Sequence, residues 1–360
     1  MTSYSINVEK TITVWMSKLI CYGFFILLSV IFIYLSFFQN EPLPSSNELR
    51  SPHRMRFLSA FVIEHEDPLP LQDKIIFLDP GHGGYDPGCV YPLTHPEYFE
   101  KDFNLTIALE TALLLESLGA TVILTRTDDV WLSIYARAAM LHLYFLDYLD
   151  DNNINSLPED TANYLRTGME DTIRVNSEDI SDGCMGPMVG SGFSEEMIML
   201  LELQYPMTDF LFLSIHNNWN SQSSIRGTQV YYVTDESIIR SENRLLREDP
   251  YYYSNPDYIV REPYYGRNGD LNATLAQIMY DAITYVAPEM ETNVQQIVPD
   301  NFAVLREHGI PSVMLELAFL SNEEDREHLN NPEMISKMAE GIAKGCIRYF
   351  DYVDSQLIVE

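Results

Sequence analysis

His82 in DPGHGG, His216 in SIHNN and Glu316 in MLELAF each come at the end of an apolar run, and Glu100 stands in the polar segment YFEKDFN. Two imidazoles and one carboxylate, with a fourth position left to water, make the donor set of a catalytic zinc site. Zinc acidifies a coordinated water and polarises a carbonyl, and a second carboxylate off the metal must then carry the proton to a leaving nitrogen. The four residues suit those roles: His82, Glu100 and His216 as ligands of one zinc ion per chain, and Glu316 as general base. Each also has an ordinary reading. His82 could be a core histidine beside a turn, His216 a plain strand end, and Glu316 a salt-bridge partner. Asp79 and Asp86 either orient an imidazole or cap a turn, and residue type does not separate the two. It is the joint placement of the four that favours the metal.

That placement depends on the elements between them, because ligand sites in α/β sheets form beyond the carboxyl ends of the strands. KIIFLDP reads as a buried strand, followed by a helix in DFNLTIALETALLLESLGA, with Glu100 in the polar segment just before it. Phe103, Ile107, Leu114 and Leu118 recur near helical spacing and Gly119 is a natural stop. TVILTR reads as a second strand, SIYARAAMLHLYFLDYL as a second helix, DFLFLSIHNN and GTQVYYVT as further strands. A helix over 271–287, the strand in IPSVMLELAFLSN and a closing amphipathic helix through Ile335, Met338, Ile342 and Cys346 complete the series. Strands alternating with helices predict an α/β fold: a twisted, largely parallel or mixed sheet flanked by helices, in a single catalytic domain over 72–352. Two insertions interrupt it, an acidic one over 147–208 and a tyrosine-rich one over 236–270. Residues 151–210 hold twelve Asp or Glu against two Arg, so a solvated peripheral subdomain is expected there, with a cover over the site or a docking place for a regulatory protein as the alternatives.

The chain has 360 residues and a formal net charge of −31. Such a surface repels nucleic acid and excludes it as a partner class. Leu19–Phe38 is a stretch of 20 residues without a charge, long enough to cross a bilayer as a helix. Lys10 and Lys18 precede it, so residues 1–18 are expected in the cytoplasm, with the rest of a single-pass membrane protein outside the cell membrane. The stretch is longer than a usual cleaved signal and no small-residue cleavage site follows Phe38. Residues 39–71, rich in Pro, Ser and charge, read as a linker with a short helical stretch near Met55–Ile63. Four cysteines in a chain of this length make no disulfide framework.

IIFLDPGHGGYDPGC, FEKDFNLTIALETALLLESLGATVILTRTDD, LSIYARAAM, DFLFLSIHNNWN, RGTQVYYV and VLREHGIPSVMLELAFLSNEED together resemble, in order, the zinc-dependent N-acetylmuramoyl-L-alanine amidases of the Amidase_3 type. The resemblance implies hydrolysis of the bond between the lactyl group of peptidoglycan and the first stem-peptide residue. It places the family's metal ligands on His82, Glu100 and His216 and its water-activating glutamate on Glu316. Asn217 and Ala318 depart from the family's usual small residue and glycine, and the acidic insertion is the largest departure. A zinc carboxypeptidase needs the same donors plus a cation for a terminal carboxylate, for which Arg126, Arg137, Arg226 and Arg306 are available. A catalytically inactive wall-binding module has no use for a proton-transfer carboxylate.

Overall fold

The computed structural model describes residues 69–154, 157–179, 186–188, 194–248 and 269–357. The apolar stretch Leu19–Phe38, the linker up to residue 68, Cys21, Cys184 and the tyrosines of 251–265 lie outside the described residues. Among the described residues no helix is long and apolar enough to cross a membrane.

Buried apolar runs make the central strands. β1 (Ile75–Pro80), β4 (Thr121–Leu124), β5 (Phe210–Asn218) and β8 (Ser312–Phe319) are parallel, with β5 between β1 and β8. β6 (Gln229–Tyr232) runs antiparallel to β8, and β7 (Ile297–Pro299) runs parallel to β6. The six-stranded sheet has the order β4-β1-β5-β8-β6-β7, so it is mixed: four parallel strands adjoin a parallel pair that runs the opposite way. A short hairpin of β2 (Val90–Tyr91) and β3 (Tyr98–Phe99) stands apart from it.

Strand alternation sends side chains to two cores. On one face Ile76, Leu78, Leu211, Leu213, Val313 and Leu315 meet α1 (Glu100–Ser117), α6 (Gly269–Val286) and α9 (Pro332–Leu357). On the other, Phe77, Phe210, Phe212 and Met314 meet α2 (Ile134–Asp151), α3 (Glu159–Val175) and α4 (Glu195–Gln204). The remaining helices are α5 (Asp235–Glu248), the single turn α7 (Ala303–Arg306) and α8 (Glu323–Leu329). Ser133 caps α2 by accepting from the Ala136 N–H, which satisfies one of the free N–H groups of the first turn.

Two expectations need correction. Glu100 does not precede the first helix; it is the first residue of α1, where a carboxylate is favoured by the helix dipole. The 147–208 segment is more than a solvated surface. α2 runs through Asp151, and α3 and α4 bury Leu165, Met169, Met197, Leu200 and Leu201 in the second core. Its charge hid a 3.6-residue apolar stripe in α3, with acidic residues filling the outer face. Leu71, at the end of the linker stretch, is fully buried and its N–H bonds the Leu118 carbonyl.

Candidate metal centre

β1 ends at Pro80, and the chain turns over the carboxyl edge through Gly81–Gly84, with His82 at φ 60° and Gly83 at φ 130°. A non-glycine residue in the left-handed region is held there against a cost of about 1–3 kcal/mol. What holds it is a pair of buried arginines. Arg137 donates to the carbonyls of Pro80 (2.9 Å) and His82 (2.8 Å) and pairs with Asp79. Arg126 donates to the carbonyls of Pro80 and Gly81, both at 2.9 Å. Asp79 also accepts from Thr125 (2.7 Å) and Ser214 (2.8 Å). Burial would raise the Asp79 carboxyl, but the Arg137 charge and these donors hold it below the usual range. Asp79 therefore anchors the loop from below and does not touch an imidazole.

Asp86 does touch one: its Oδ2 lies 2.7 Å from His82 Nδ1, and its Oδ1 accepts from the Gly88 N–H at 3.1 Å. Both roles left open for Asp86 are present, imidazole orientation and turn cap. With Nδ1 engaged, His82 turns Nε2 toward Glu100 Oε1, 3.2 Å away. The same oxygen is 2.9 Å from His216 Nδ1, and the two imidazole rings cross at 78° with centroids 4.9 Å apart. One donor atom from each of His82, Glu100 and His216 lies within 4.8 Å of the others. The structure thus brings the three residues together.

Glu100 is almost wholly buried. It accepts from the Cys89 N–H (2.8 Å), the Asn217 N–H (3.1 Å) and the Asn104 amide (3.1 Å), which is one helical turn along α1. Burial pushes its carboxyl up, yet the bonds from His216 and His82 outweigh that and hold it well below the usual range. Two glycines permit the close approach: a Cβ on Gly81 would sit 2.1 Å from His216 Cε1, and one on Gly88 would sit 2.5 Å from Glu100 Oε2. Asn217 completes the cradle by donating to Asn104 Oδ1 at 2.8 Å.

Glu316 on β8 is paired in register with His216 on β5. Its Oε2 is buried without a hydrogen-bond partner. Burial and the nearby Glu100 charge push its carboxyl well above the usual range. An unpaired, readily protonated carboxyl beside a cluster of metal-type donors is what proton transfer requires. The donors fit a divalent ion of the zinc type: two nitrogens and a carboxylate oxygen converge, and a carboxyl held ionised supplies the negative charge.

Sequence reasoning missed Asn104 and the structural use of Arg126 and Arg137. The first was legible as the residue four after Glu100 on one helix. The arginines' targets are backbone carbonyls of a turn, which no sequence pattern announces. Arg306 is also engaged, with Glu307 (2.6 Å) and Asn301 (2.8 Å).

An α/β domain with a His/Glu/His cluster at the carboxyl edge of its parallel strands is a domain able to hold a metal ion, here with the raised Glu316 carboxyl beside it. The model of the N-acetylmuramoyl-L-alanine amidase family matches residues 76–156 and 207–348, and the chain belongs to that family. The match breaks across α3 and α4. The amidase AmiC of Neisseria meningitidis serogroup B is 26% identical over 288 residues, which are 77% of this chain and 53% of that protein. The probable cell wall amidase LytH of Staphylococcus aureus is 43% identical over 91 residues, 24% of this chain and 31% of that protein. The chain thus spans about half or less of the length of these relatives. A solved amidase from Clostridium difficile 630 is 21% identical, with a TM-score of 0.46, over 77% of this chain and 97% of that one.

Proposed function

We propose that the chain is a zinc-dependent N-acetylmuramoyl-L-alanine amidase that hydrolyses the amide between the lactyl group of N-acetylmuramic acid and the L-alanine of the stem peptide. The observation that carries this reading is the convergence of His82 Nε2, His216 Nδ1 and Glu100 Oε1 beside the unpartnered Glu316 carboxyl. His82, Glu100 and His216 would hold the ion. When bound, it supplies an acidified water and polarises the scissile carbonyl. Glu316 takes the proton from the attacking water and returns it to the leaving nitrogen, a shuttle that suits a carboxyl raised by burial. Asp86 fixes which His82 nitrogen faces the ion, and Asn104 and Asn217 keep Glu100 in place.

The carboxypeptidase reading loses support, because Arg126 and Arg137 are committed to loop carbonyls, Arg306 to Glu307, and Arg226 to the Glu289 carbonyl and the Glu324 carboxylate. We propose further that Leu19–Phe38 anchors the protein in the cell membrane with the catalytic domain outside, so that attachment keeps it near the wall. The acidic 147–208 segment is the place we propose for any regulatory protein. Digestion of purified muropeptides tests the activity: release of an intact stem peptide with a free L-alanine amine, leaving intact glycan, is expected. Release of a C-terminal amino acid instead would make the enzyme a carboxypeptidase.

A further inference from the structure

Beside the metal cluster, on the α2 face of the sheet, lies an open cavity of about 630 Å³. Its walls include Tyr85, Asp86, Pro87, Trp131, Asn176 and Glu178. Asp86 links it to the site, since the same side chain holds His82. Tyr85 and Trp131 stack with centroids 4.8 Å apart and planes 27° apart. Tyr85 is nonetheless 77% exposed, so the pair presents an aromatic surface to solvent. A large ring left this open next to the His/Glu/His cluster marks a contact surface.

The platform is built, not incidental. The Gly84 N–H donates to Asp129 Oδ1, and Lys101 Nζ bridges the Gly84 carbonyl and Asp129 Oδ2, all at 2.7 Å. These bonds clamp the Tyr85 loop to the segment that carries Trp131. The insertion fixes the other wall. Asn176, at φ 45°, accepts from the Ser133 N–H (2.8 Å) and donates to the Trp131 carbonyl (3.0 Å), and Glu178 accepts from the Ile134 N–H. Residues from outside the family match therefore cap the start of α2 and border the aromatic pair.

The chemistry of the walls selects the ligand. Asp86, Glu178 and Asp179 line the cavity, and none of its lining residues is Lys, Arg or His. Carboxylates, which a stem peptide carries, are repelled from such a surface. A neutral sugar ring is not: its C–H face packs on an aromatic ring while its hydroxyls donate to amide and carboxylate oxygens. Resting on the amidase reading, we infer that the Tyr85–Trp131 platform and the insertion residues Asn176–Asp179 form a subsite for the glycan strand, leaving the stem peptide to the other side of the metal cluster.

Tyr85→Ala in the full-length, zinc-loaded protein tests this, since so exposed a side chain can be truncated without disturbing the fold. Two substrates sharing one stem peptide would be compared, a disaccharide-peptide and an N-lactoyl peptide without sugar. Roughly tenfold loss of kcat/KM through KM is expected on the first and no change on the second, the scale for truncating one anchoring aromatic. Binding of N-acetylglucosamine oligomers, read by isothermal titration calorimetry, gives an answer independent of turnover. It should be saturable in the wild type and weakened by Tyr85→Ala and by Trp131→Ala. Equal losses on both substrates, unchanged saccharide binding in the variants, or preference of the platform for a cationic peptide would each overturn the subsite. Failure to cleave either substrate, with saccharide binding intact, would instead count against the amidase reading alone.

Discussion

His216 and Glu316 occupy paired positions on adjacent parallel strands, β5 and β8, so both side chains leave the sheet on the side of Phe212 and Met314. Neighbouring strands at one edge thus deliver a metal-type donor and an unpartnered carboxyl side by side. Groups placed on strands are held more rigidly than groups on loops, as positioned acid–base chemistry demands.

From this pairing, Glu316→Gln should keep its metal and lose activity. The change preserves shape but removes the proton-accepting oxygen, and kcat should fall by about 10²-fold or more, the scale for losing a general base. Metal content measured beside turnover checks it. A variant that loses metal would make Glu316 a ligand, and near-normal turnover would remove it from the reaction.

His82→Ala and His216→Ala should each lower zinc content from about one per chain, because three protein donors are the minimum for a catalytic site. Chelation of the wild type should lower Tm, and added zinc should restore it, since an ion bound only by the folded state stabilises by mass action. Full metal occupancy and retained activity in both variants would refute the ligand set.

Asp79 and Arg137 form a buried pair beneath the His82 loop, with Arg137 also holding the carbonyls of Pro80 and His82. Arg137→Ala leaves the buried Asp79 carboxylate without its counter-charge and the His82 carbonyl without its donor, while Arg126 still reaches the Pro80 carbonyl. A loss of about 3–5 kcal/mol in unfolding free energy is expected, the usual result of removing one partner from a buried pair. Urea denaturation measures it, and a loss below about 1 kcal/mol would show that water reaches the pair.

His142 is buried in the second core, where its Nε2 lies 2.8 Å from the Glu307 carbonyl and its Nδ1 lies 3.0 Å from Gln204 Nε2. Burial lowers its pKa from 6.5 to about 4. The folded state therefore resists a proton that the unfolded chain takes up, and the stability this histidine gives is present in full above pH 6.5. It is lost as pH falls from 6.5 toward 4. Denaturation of metal-free protein should show wild type ahead of His142→Gln at pH 7.5, with the gap narrowing toward pH 4. A gap that stays constant would mean that His142 is not held neutral.

Much of this was legible in the sequence. The apolar runs ending at Pro80, His216 and Glu316 read as buried strands because parallel strands covered on both faces are continuously apolar. Three of the four candidate residues, His82, His216 and Glu316, stand at their ends, and Glu100 opens the helix that follows the first of them. What could not be read were interactions made by backbone groups, such as the Arg126 and Arg137 bonds to turn carbonyls, and the short elements β2, β3, β7 and α7. A strand of two or three residues has too few positions for a period. The acidic segment misled for a different reason: composition averages over a helix, whereas burial depends on one stripe of it.

That stripe decides the last prediction. The 147–208 segment can be pictured as a removable cover, in which case replacing it with a short Gly/Ser bridge would raise kcat/KM and leave zinc content unchanged. Leu165, Met169, Met197 and Leu200 are instead fully buried against the α2 face, as is Met188 in the single turn between α3 and α4. Deleting residues 157–206 would strip this layer from Phe145 and its neighbours and expose a contiguous apolar patch. It would also remove Asn176 and Glu178 from the start of α2. The deletion protein should aggregate, or unfold at a Tm well below that of the full chain, before any change in kinetics can be read. Thermal unfolding followed by circular dichroism and light scattering would show this. A soluble, cooperatively folded deletion with normal Tm would mean that α3 and α4 are an independent appendage after all.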